Sequence, residues 1–513
     1  MTTRREFLKT SAAAAAVAGG ILPYAARAPA AVKDGGTLTA ALYADPRTFD
    51  PHLAGSLQGR ATTQAIHDTL FDVDANGHLV PGLVESWEWK DDRTVVLTTR
   101  TGVKFHDDTE FDAEAVRYNL ERIRNPDTGS IRGGEISVLD TVEVLDAKTV
   151  KLRLKQPFAA FLFPLVDVAG CVASPTALER WGKEYGLHPA GTGPFRAVEY
   201  LKDAHSVLER NGDYWNAGKP HLDRLVLRPV PVDSTRLAEL RSGGVQLAEA
   251  LPLQDIQRLR EGDEIVVSEK VGFRWEWFGF NVRDEYAGRS RKLRQAFQWA
   301  IDREALHHVG YFGTGSIGYD GILPGSPFHD PDYRPYERNL DKAKRLVEES
   351  GLDQPIELLG PTTPDPVKQR TTQIFQANAA EIGVTVNTEG IDGGGYWAAM
   401  RKGTMQLVLE GWWGYRPDPD QYLYIMLHST GRQAKRMGYG NPKMDELMDA
   451  QRSAQDLGER RRLFRRISDL MNEDAVYVPY HYGSDFKGLL PNVKGFVHAQ
   501  DSIINYRDLY LEG

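Results

Sequence analysis

The sequence predicts an α/β protein built from two lobes. Its 513 residues, 41% hydrophobic and 26% charged, are enough for two or three packed units. Candidate strands and helices alternate along most of the chain, and an aromatic strand at 273–281 separates two such stretches. Gly and Pro residues are scattered between elements, with no internal repeat, so we expect no flexible linker between the lobes.

The first thirty residues predict an export signal that is removed. Thr3-Arg4-Arg5-Glu6-Phe7-Leu8-Lys9 is typical of a twin-arginine signal, and the weakly apolar run 10–22 that follows is too short to span a membrane. We expect the mature chain to begin near Ala31, after the small-residue pattern Ala28-Pro29-Ala30. A disordered basic tail is the alternative reading of residues 1–30.

Composition excludes several classes of protein. Without its leader the chain has 58 basic and 70 acidic residues, a net charge of −12, whereas a nucleic-acid binder normally carries a basic patch. The single cysteine, Cys171, permits no internal disulfide and no cysteine-based zinc site, and we expect it in the core. No cysteine follows the leader, and no later run has 18 apolar residues, so we expect a freely diffusing periplasmic protein without a lipid anchor.

Elements of the first half follow from periodicity and turn residues. Alternating Thr and Leu residues predict the first strand, and apolar residues at helical spacing predict the first helix. Asp112 is well placed to cap the second helix. The predicted strands are 36–43, 94–101, 149–154 and 226–231, and the predicted helices are 61–71, 113–123 and 234–242.

The second half has the same alternation after its aromatic strand. Runs of four to nine residues rich in apolar and aromatic side chains predict strands, and longer amphipathic runs predict helices. The predicted strands are 273–281, 356–359, 384–387, 405–410, 476–480 and 493–497, and the predicted helices are 292–301, 340–349, 369–382, 442–453 and 457–472.

The sequence lacks the common catalytic motifs. The sequence has no His-Glu-x-x-His, no Gly-x-Ser-x-Gly and no phosphate loop ending in Gly-Lys-Ser/Thr. The run 313–318 formally matches the dinucleotide fingerprint, but it follows a helical segment, so we interpret it as a loop. His307 and His308 have no carboxylate at a convincing ligand spacing and are expected at a helix end. The sequence therefore predicts no catalytic residues, no metal site and no cofactor.

Residues 411–420 are the leading candidate for ligand binding. Trp412, Trp413, Tyr415, Arg416 and Asp418 crowd into a segment broken by Gly and Pro, directly after the strand 405–410. Aromatic faces supply rigid apolar area, and arginine supplies a bidentate donor for carboxylate or phosphate. The equally favoured alternative is a packed loop, in which the tryptophans fill the core and Asp418 caps the next helix.

Three further aromatic residues complete the predicted ligand-binding set. Trp397 follows three glycines, which permit close backbone approach, although a turn before a helix with Trp397 in the core is the favoured alternative. Trp277 belongs to the aromatic strand, and Tyr43 ends the first strand.

An ordered series of motifs covers nearly the whole mature chain. Its members are Leu79–Trp87, Gly102–Asp108, 113–122, Gly191-Thr192-Gly193-Pro194-Phe195, Arg210–Trp215 with Lys219–Asp223, Arg294–Ala296 with Ala300–Arg303, and Tyr439–Pro442 with Asp445. The series resembles the family 5 extracellular solute-binding proteins, the peptide, nickel and opine receptors of ABC importers, and its specificity comes from the order rather than from any single match.

The resemblance implies a periplasmic-binding-protein fold, a hinged trap whose two lobes close on a ligand. The first lobe would take residues 31–275 and 486–513, with an inserted subdomain at about 70–190, and the second would take 276–485. The chain would cross between lobes near 273–281 and 482–485. The motif blocks themselves are expected to be structural, and ligand choice is expected in variable loops such as 412–420.

The sequence departs from the dipeptide receptors that it resembles. Those receptors place an acidic residue four positions after the leading Gly of this segment, where this chain has Tyr415 followed by Arg416. Thr362 and Thr363 stand where an arginine for the ligand carboxylate is expected. An opine, a modified peptide, an oligosaccharide or an organic metal chelate would suit the cleft better than a plain dipeptide.

The resemblance also implies partners and leaves two alternatives open. The partners would be a small-molecule ligand and the ABC permease and ATPase at the inner membrane, with no nucleic acid and a monomeric protein. A periplasmic enzyme on a similar scaffold, or a sensor subunit that presents its ligand to a membrane receptor, are the competing functions.

Overall fold

The computed structural model describes residues 34–512 except 75–76, 364 and 414–417. The predicted export signal, Tyr415 and Arg416 lie outside the described residues. The strands are β1 (Thr37–Leu42), β2 (Phe71–Val73), β3 (Leu79–Pro81), β4 (Val84–Asp91), β5 (Thr94–Thr99), β6 (Leu139–Asp146), β7 (Thr149–Leu154), β8 (Phe195–Leu201), β9 (His205–Arg210), β10 (Arg224–Pro229), β11 (Leu247–Glu249), β12 (Val266–Phe280), β13 (Ser316–Ile317), β14 (Ile356–Thr362), β15 (Val384–Gly390), β16 (Leu407–Trp413), β17 (Tyr477–Leu489), β18 (Val493–Lys494) and β19 (Tyr510–Leu511).

Helices are distributed along the whole described chain, and a π-helical turn, Leu306–Gly310, follows α7. The helices are α1 (Leu57–Ile66), α2 (Ala113–Arg124), α3 (Pro175–Trp181), α4 (Asp233–Arg241), α5 (Ile256–Glu261), α6 (Arg291–Ala300), α7 (Arg303–Ala305), α8 (Leu340–Glu348), α9 (Pro366–Glu381), α10 (Gly393–Lys402), α11 (Asp420–Leu427), α12 (Arg432–Met437), α13 (Pro442–Ser453) and α14 (Leu457–Asp474).

The main sheet is mixed and joins the two halves of the chain. Its strand order is β16-β12-β17-β11-β1-β10-β9-β8, and β13 pairs with β17. The long antiparallel pair β12 and β17 runs from the pairing of Val266 with Leu489 to that of Gly279 with Tyr477, with a register shift after Val271. One end of this pair meets β11 and the other end meets β16, so two strands carry the sheet across both halves.

Each half has its own hydrophobic cores. In the first half, the four-stranded sheet β4-β5-β7-β6 packs with α2 around Val95, Leu120 and Leu152. A second core lies against β1 and β10. In the second half, α6 and α9 pack on one set of sheet residues that includes Phe278, and α11 to α14 pack around Trp275.

Several predicted elements are displaced in the structure, for local reasons. The helix predicted at 61–71 begins earlier, at Leu57, because the Ser56 side chain accepts from the N–H of Gly59, and it ends before β2. The predicted cap at Asp112 is confirmed by its 2.9 Å bond from the N–H of Ala115. The aromatic strand is longer than predicted because β17 pairs with it back to Val266.

Candidate functional site

The predicted ligand segment begins inside a strand rather than in a loop. Strand β16 continues through Trp412 to Trp413, because β12 extends to Arg274 and supplies backbone partners for both tryptophans. The placement of these two residues after the strand was therefore wrong. The Trp412 side chain is half-buried and stacks on Tyr422, with ring centroids 6.0 Å apart.

Two predicted ligand residues have structural partners. Asp418 is 1% exposed and receives two hydrogen bonds from the Arg460 guanidinium, at 2.6 and 2.9 Å. Trp277 is 2% exposed and packs edge-on against Tyr477, with centroids 4.7 Å apart. Burial of both side chains favours structural roles, and their contact with a ligand stays a prediction.

Two further predicted ligand residues, Trp397 and Tyr43, lie in other parts of the fold. Trp397 lies in α10. Tyr43 follows β1, is 52% exposed and lies under the Arg236 guanidinium, 5.6 Å from the ring centroid. Three strands separate β1 from β16, and at the usual spacing of strands this corresponds to about 19 Å. The sheet therefore does not place Tyr43 directly beside Trp412.

A cluster of four charged residues that the sequence analysis missed lies where β12, the end of β16 and the start of α9 meet. We name it the charge quartet: Arg274, Glu276, Lys368 and Glu410. The Lys368 ammonium is 3.1 Å from one Glu276 oxygen and 3.7 Å from Glu410, and the Arg274 guanidinium contacts the other Glu276 oxygen. Glu276 is completely buried, whereas the other three side chains are 12–15% exposed.

Sheet register explains why these residues meet. Glu276 in β12 faces Gly411 of β16 on one side and His481 of β17 on the other, next to Glu410. Asp365 caps α9 by accepting from the N–H groups of Val367 and Lys368, which fixes Lys368 in the first turn. Glu410, near the end of β16, and Lys368, at the start of α9, therefore lie close to Glu276 at one edge of the sheet.

Burial perturbs the groups around the quartet. Desolvation raises the pKa of Tyr396, and the charge and hydrogen bond of Glu410 raise it further. Desolvation holds the pKa of His481 well below its ordinary value, and the positive charge of Arg274 contributes in the same direction. The His481 ring is therefore neutral at physiological pH. It stacks on the Tyr311 ring, with ring centroids 3.9 Å apart.

The quartet can bind groups of either sign. Arg274 and Lys368 can donate to a carboxylate, and Glu410 can accept from an ammonium. Its sequence signal is a pair of charged residues two positions apart, Arg274 and Glu276, in an otherwise aromatic and buried strand. Charges at such positions are costly unless they are paired, which is the reason to search for their partners.

The motif blocks have structural roles. Tyr214 and Trp215 both donate to the carboxylate of Asp68, at 2.8 and 2.7 Å. Gly191 and Gly193 lie against the Ile66 carbonyl, which a Cβ atom would approach to 2.2 and 2.6 Å. The expectation that these blocks support the fold rather than the ligand agrees with these contacts.

The described part of the chain has neither a candidate metal site nor a candidate membrane-spanning helix. Its His, Cys, Asp and Glu side chains form no group that could hold a metal ion. Of the helices described here, none has the length and apolar character needed to cross a membrane. Cys171 is 1% exposed, as expected for a core thiol.

Comparisons with known proteins identify the family. The model of "bacterial extracellular solute-binding proteins, family 5 Middle" matches residues 78–434. The glutathione-binding protein GsiB of Pectobacterium atrosepticum is 28% identical, over 99% of this chain and 98% of its own length. DppA from Helicobacter pylori, solved with the peptide STSA, is 27% identical with a TM-score of 0.82, over 94% of this chain and 99% of its own.

A second solved periplasmic binding protein is similar over a comparable share of the chain. AgaA of A. tumefaciens R10, solved with agropinic acid, is 25% identical with a TM-score of 0.80, over 93% of this chain and 99% of its own. These structures share the two-lobed α/β fold of periplasmic binding proteins. The chain therefore belongs to the family 5 bacterial extracellular solute-binding proteins, the components of ABC importers that capture a solute and deliver it to the membrane permease.

Proposed function

We propose that this protein captures an amino-acid-derived solute that carries both carboxylate and ammonium groups, such as glutathione or an opine. The observation that carries the proposal is the charge quartet, which offers two cations and two anions within one cluster. The name of one relative, the glutathione-binding protein GsiB, points to the same chemical class.

The positive and negative charges of the quartet are equal in number before any ligand binds, which favours a zwitterionic solute. Glu276 holds both Arg274 and Lys368, so neither cation is left as an uncompensated buried charge. A carboxylate from a ligand would share these two donors, and its ammonium would pair with Glu410. A solute with one kind of charge would leave part of the cluster without a new partner, at a cost in affinity.

The lobe boundaries, the export route and the oligomeric state are parts of the same proposal. Residues 31–275 with 486–513 and residues 276–485 form the two lobes, and the register shift after Val271 supports a crossing at that point. The protein is exported by the twin-arginine route, acts as a monomer without a lipid anchor, and returns its solute unchanged. Trp412 and the neighbouring segment 413–420 contribute to the same cleft.

Calorimetry with chosen ligands tests the proposal. Glutathione, a plain dipeptide such as Met-Leu, and agropinic acid, a lactam that has a carboxylate but no ammonium group, should be titrated into the protein and into Lys368→Met. We expect glutathione to bind more tightly than agropinic acid and the variant to bind glutathione about 10- to 100-fold more weakly, since hydrogen bonds to charged groups contribute about 1.5–3 kcal/mol. Lys344→Met, an exposed lysine in α8, is the matched control and should bind like the parent protein.

Three results would contradict the proposal. The first is tight binding of the plain dipeptide with no effect of Lys368→Met. The second is the release of a singly charged or uncharged solute, identified by mass spectrometry, from freshly purified protein. The third is chemical conversion of the bound ligand during incubation, which would indicate an enzyme rather than a receptor.

A further inference from the structure

The C-terminal end of α13 contacts the body that surrounds the four-stranded sheet. Ala159 donates its backbone N–H to the carbonyl of Arg452 at 2.8 Å. Arg452 is the next-to-last residue of α13, so its carbonyl has no acceptor role within the helix and needs an outside donor. The Arg452 guanidinium also lies 4.9 Å from the centroid of the Phe158 ring, which belongs to the core of that sheet.

The Arg452 side chain is fixed from the other direction by the ligand segment. Its Nε and one Nη donate to the two oxygens of Asp420, at 2.8 and 2.9 Å, and its guanidinium lies 3.2 Å from the centroid of the Tyr424 ring. Asp420 is completely buried and also accepts from Gln451. Asp420 comes eight positions after Trp412 and opens α11, so one arginine connects the segment 412–420 to Phe158 and Ala159.

We propose that Arg452 is a positioning residue that couples the ligand segment to closure of the two lobes. The inference rests on the proposed function, because Ala159 and Arg452 belong to opposite lobes only under the proposed boundaries. The bonds to Asp420 hold Arg452 in one orientation within its own lobe. The closed state then gains the bond from Ala159 and the contact with Phe158, and the open state exchanges both for water.

The size of this contact suits a reversible switch. One hydrogen bond between backbone groups contributes about 1 kcal/mol net, and a partly buried cation–π contact contributes at least a similar amount. Such a contact biases the equilibrium between open and closed states without fixing it, and a ligand with differential affinity for the closed state can then complete the shift.

The test measures the distance between lobes directly. Lys148→Cys, between β6 and β7, and Arg466→Cys, on α14, place nitroxide labels on exposed sites of the two bodies, and the buried Cys171 stays unlabelled. Pulsed electron spin resonance on the ligand-free protein then gives the ratio of closed to open molecules. The N–H of Phe161 bonds to the carbonyl of Phe158, so residue 159 occupies the second position of a turn, where proline is favoured.

The decisive variant is Ala159→Pro, which removes the donor and places the ring Cδ against the Arg452 carbonyl. We expect it to lower the ratio of closed to open molecules at least fivefold, the factor that corresponds to one hydrogen bond. Ala159→Gly keeps the N–H and is the matched control, with a ratio like that of the parent. Arg452→Ala should lower the ratio by at least as much, and Arg452→Lys should restore part of it.

Identical distance distributions in the parent, Ala159→Pro and Arg452→Ala proteins would overturn the proposal. An equal loss in Ala159→Gly would do the same, because it would show a general effect of the turn. Since the measurement uses no ligand, a loss of glutathione or opine binding in the calorimetry would leave this result standing. The two proposals can therefore fail separately.

Discussion

Asp418 and Arg460 form an ion pair that is almost fully withdrawn from water. The two side chains are 1% and 3% exposed, and the pair has bidentate geometry. Taking both charges out of water is costly, so the pair adds little stability relative to an apolar pair, but removing one partner leaves the other charge buried and alone. Because of this asymmetry, Asp418, which lies within the predicted ligand segment, requires an arginine at position 460.

Asp418→Ala should destabilise the protein by about 3–5 kcal/mol, because Arg460 would lose its buried counter-charge. Chemical denaturation followed by circular dichroism measures the change. The matched control is Asp330→Ala, which breaks an ion pair with Arg465 in which both side chains are 43–50% exposed. That change should cost less than about 1 kcal/mol. Equal effects of the two substitutions would contradict the role assigned to the Asp418–Arg460 pair.

At the scale of elements, local patterns predicted where strands and helices occur better than how far they extend. The sequence placed the aromatic strand at 273–281, and β12 in fact begins at Val266. Periodicity ends at Gly272, whose φ of 88° interrupts the alternation, while pairing with β17 continues past it. The charge quartet escaped prediction for the same reason, because Lys368 meets Glu276 through sheet register and not through spacing in sequence.

Gly272 is a site where an added methyl group has no room. A Cβ atom there would lie 2.4 Å from the carbonyl oxygen of Pro324, and the backbone has a positive φ. Gly351 has a φ of 70° but open space around it, so it separates backbone strain from crowding. We expect Gly351→Ala to cost about 1 kcal/mol, from backbone strain alone, and Gly272→Ala to cost about 1–3 kcal/mol more.

Thermal and chemical denaturation of both glycine variants measure these costs. If Gly272→Ala is no more destabilising than Gly351→Ala, the close approach of the 324 region to β12 does not exist in solution. A larger cost at Gly272 would support the register shift as a fixed feature of the strand pair.

The whole molecule carries a pH dependence to which three buried histidines of its first half contribute together with His481. Burial lowers the pKa of His52 to about 3, of His67 to about 4 and of His106 to about 3. Asp50 lies beside His52 and opposes this shift, whereas Arg122 adds to it. These imidazoles are therefore neutral when folded at pH 5–7, whereas in the unfolded chain they titrate near pH 6.5.

Stability should fall as the pH drops below about 6.5, because the unfolded chain then binds protons that the folded protein excludes. Each of the three histidines should cost about 2 kcal/mol by pH 5. Melting temperatures measured from pH 7.5 to 5.0 test this. His67→Gln should flatten the profile, and His78→Gln, at an exposed site, should leave it unchanged. An unchanged slope in His67→Gln would contradict the assignment.

The long pair of β12 and β17 also constrains how the chain can fold during synthesis. Their paired residues are about two hundred positions apart, from Val266 with Leu489 to Gly279 with Tyr477. Contacts this distant in sequence form late, because the intervening chain must first be closed into a loop at an entropic cost. The ribosome must therefore synthesise the chain as far as Leu489 before the central sheet can be completed. Until then, the aromatic end of β12 lacks its β17 partner and needs protection from aggregation.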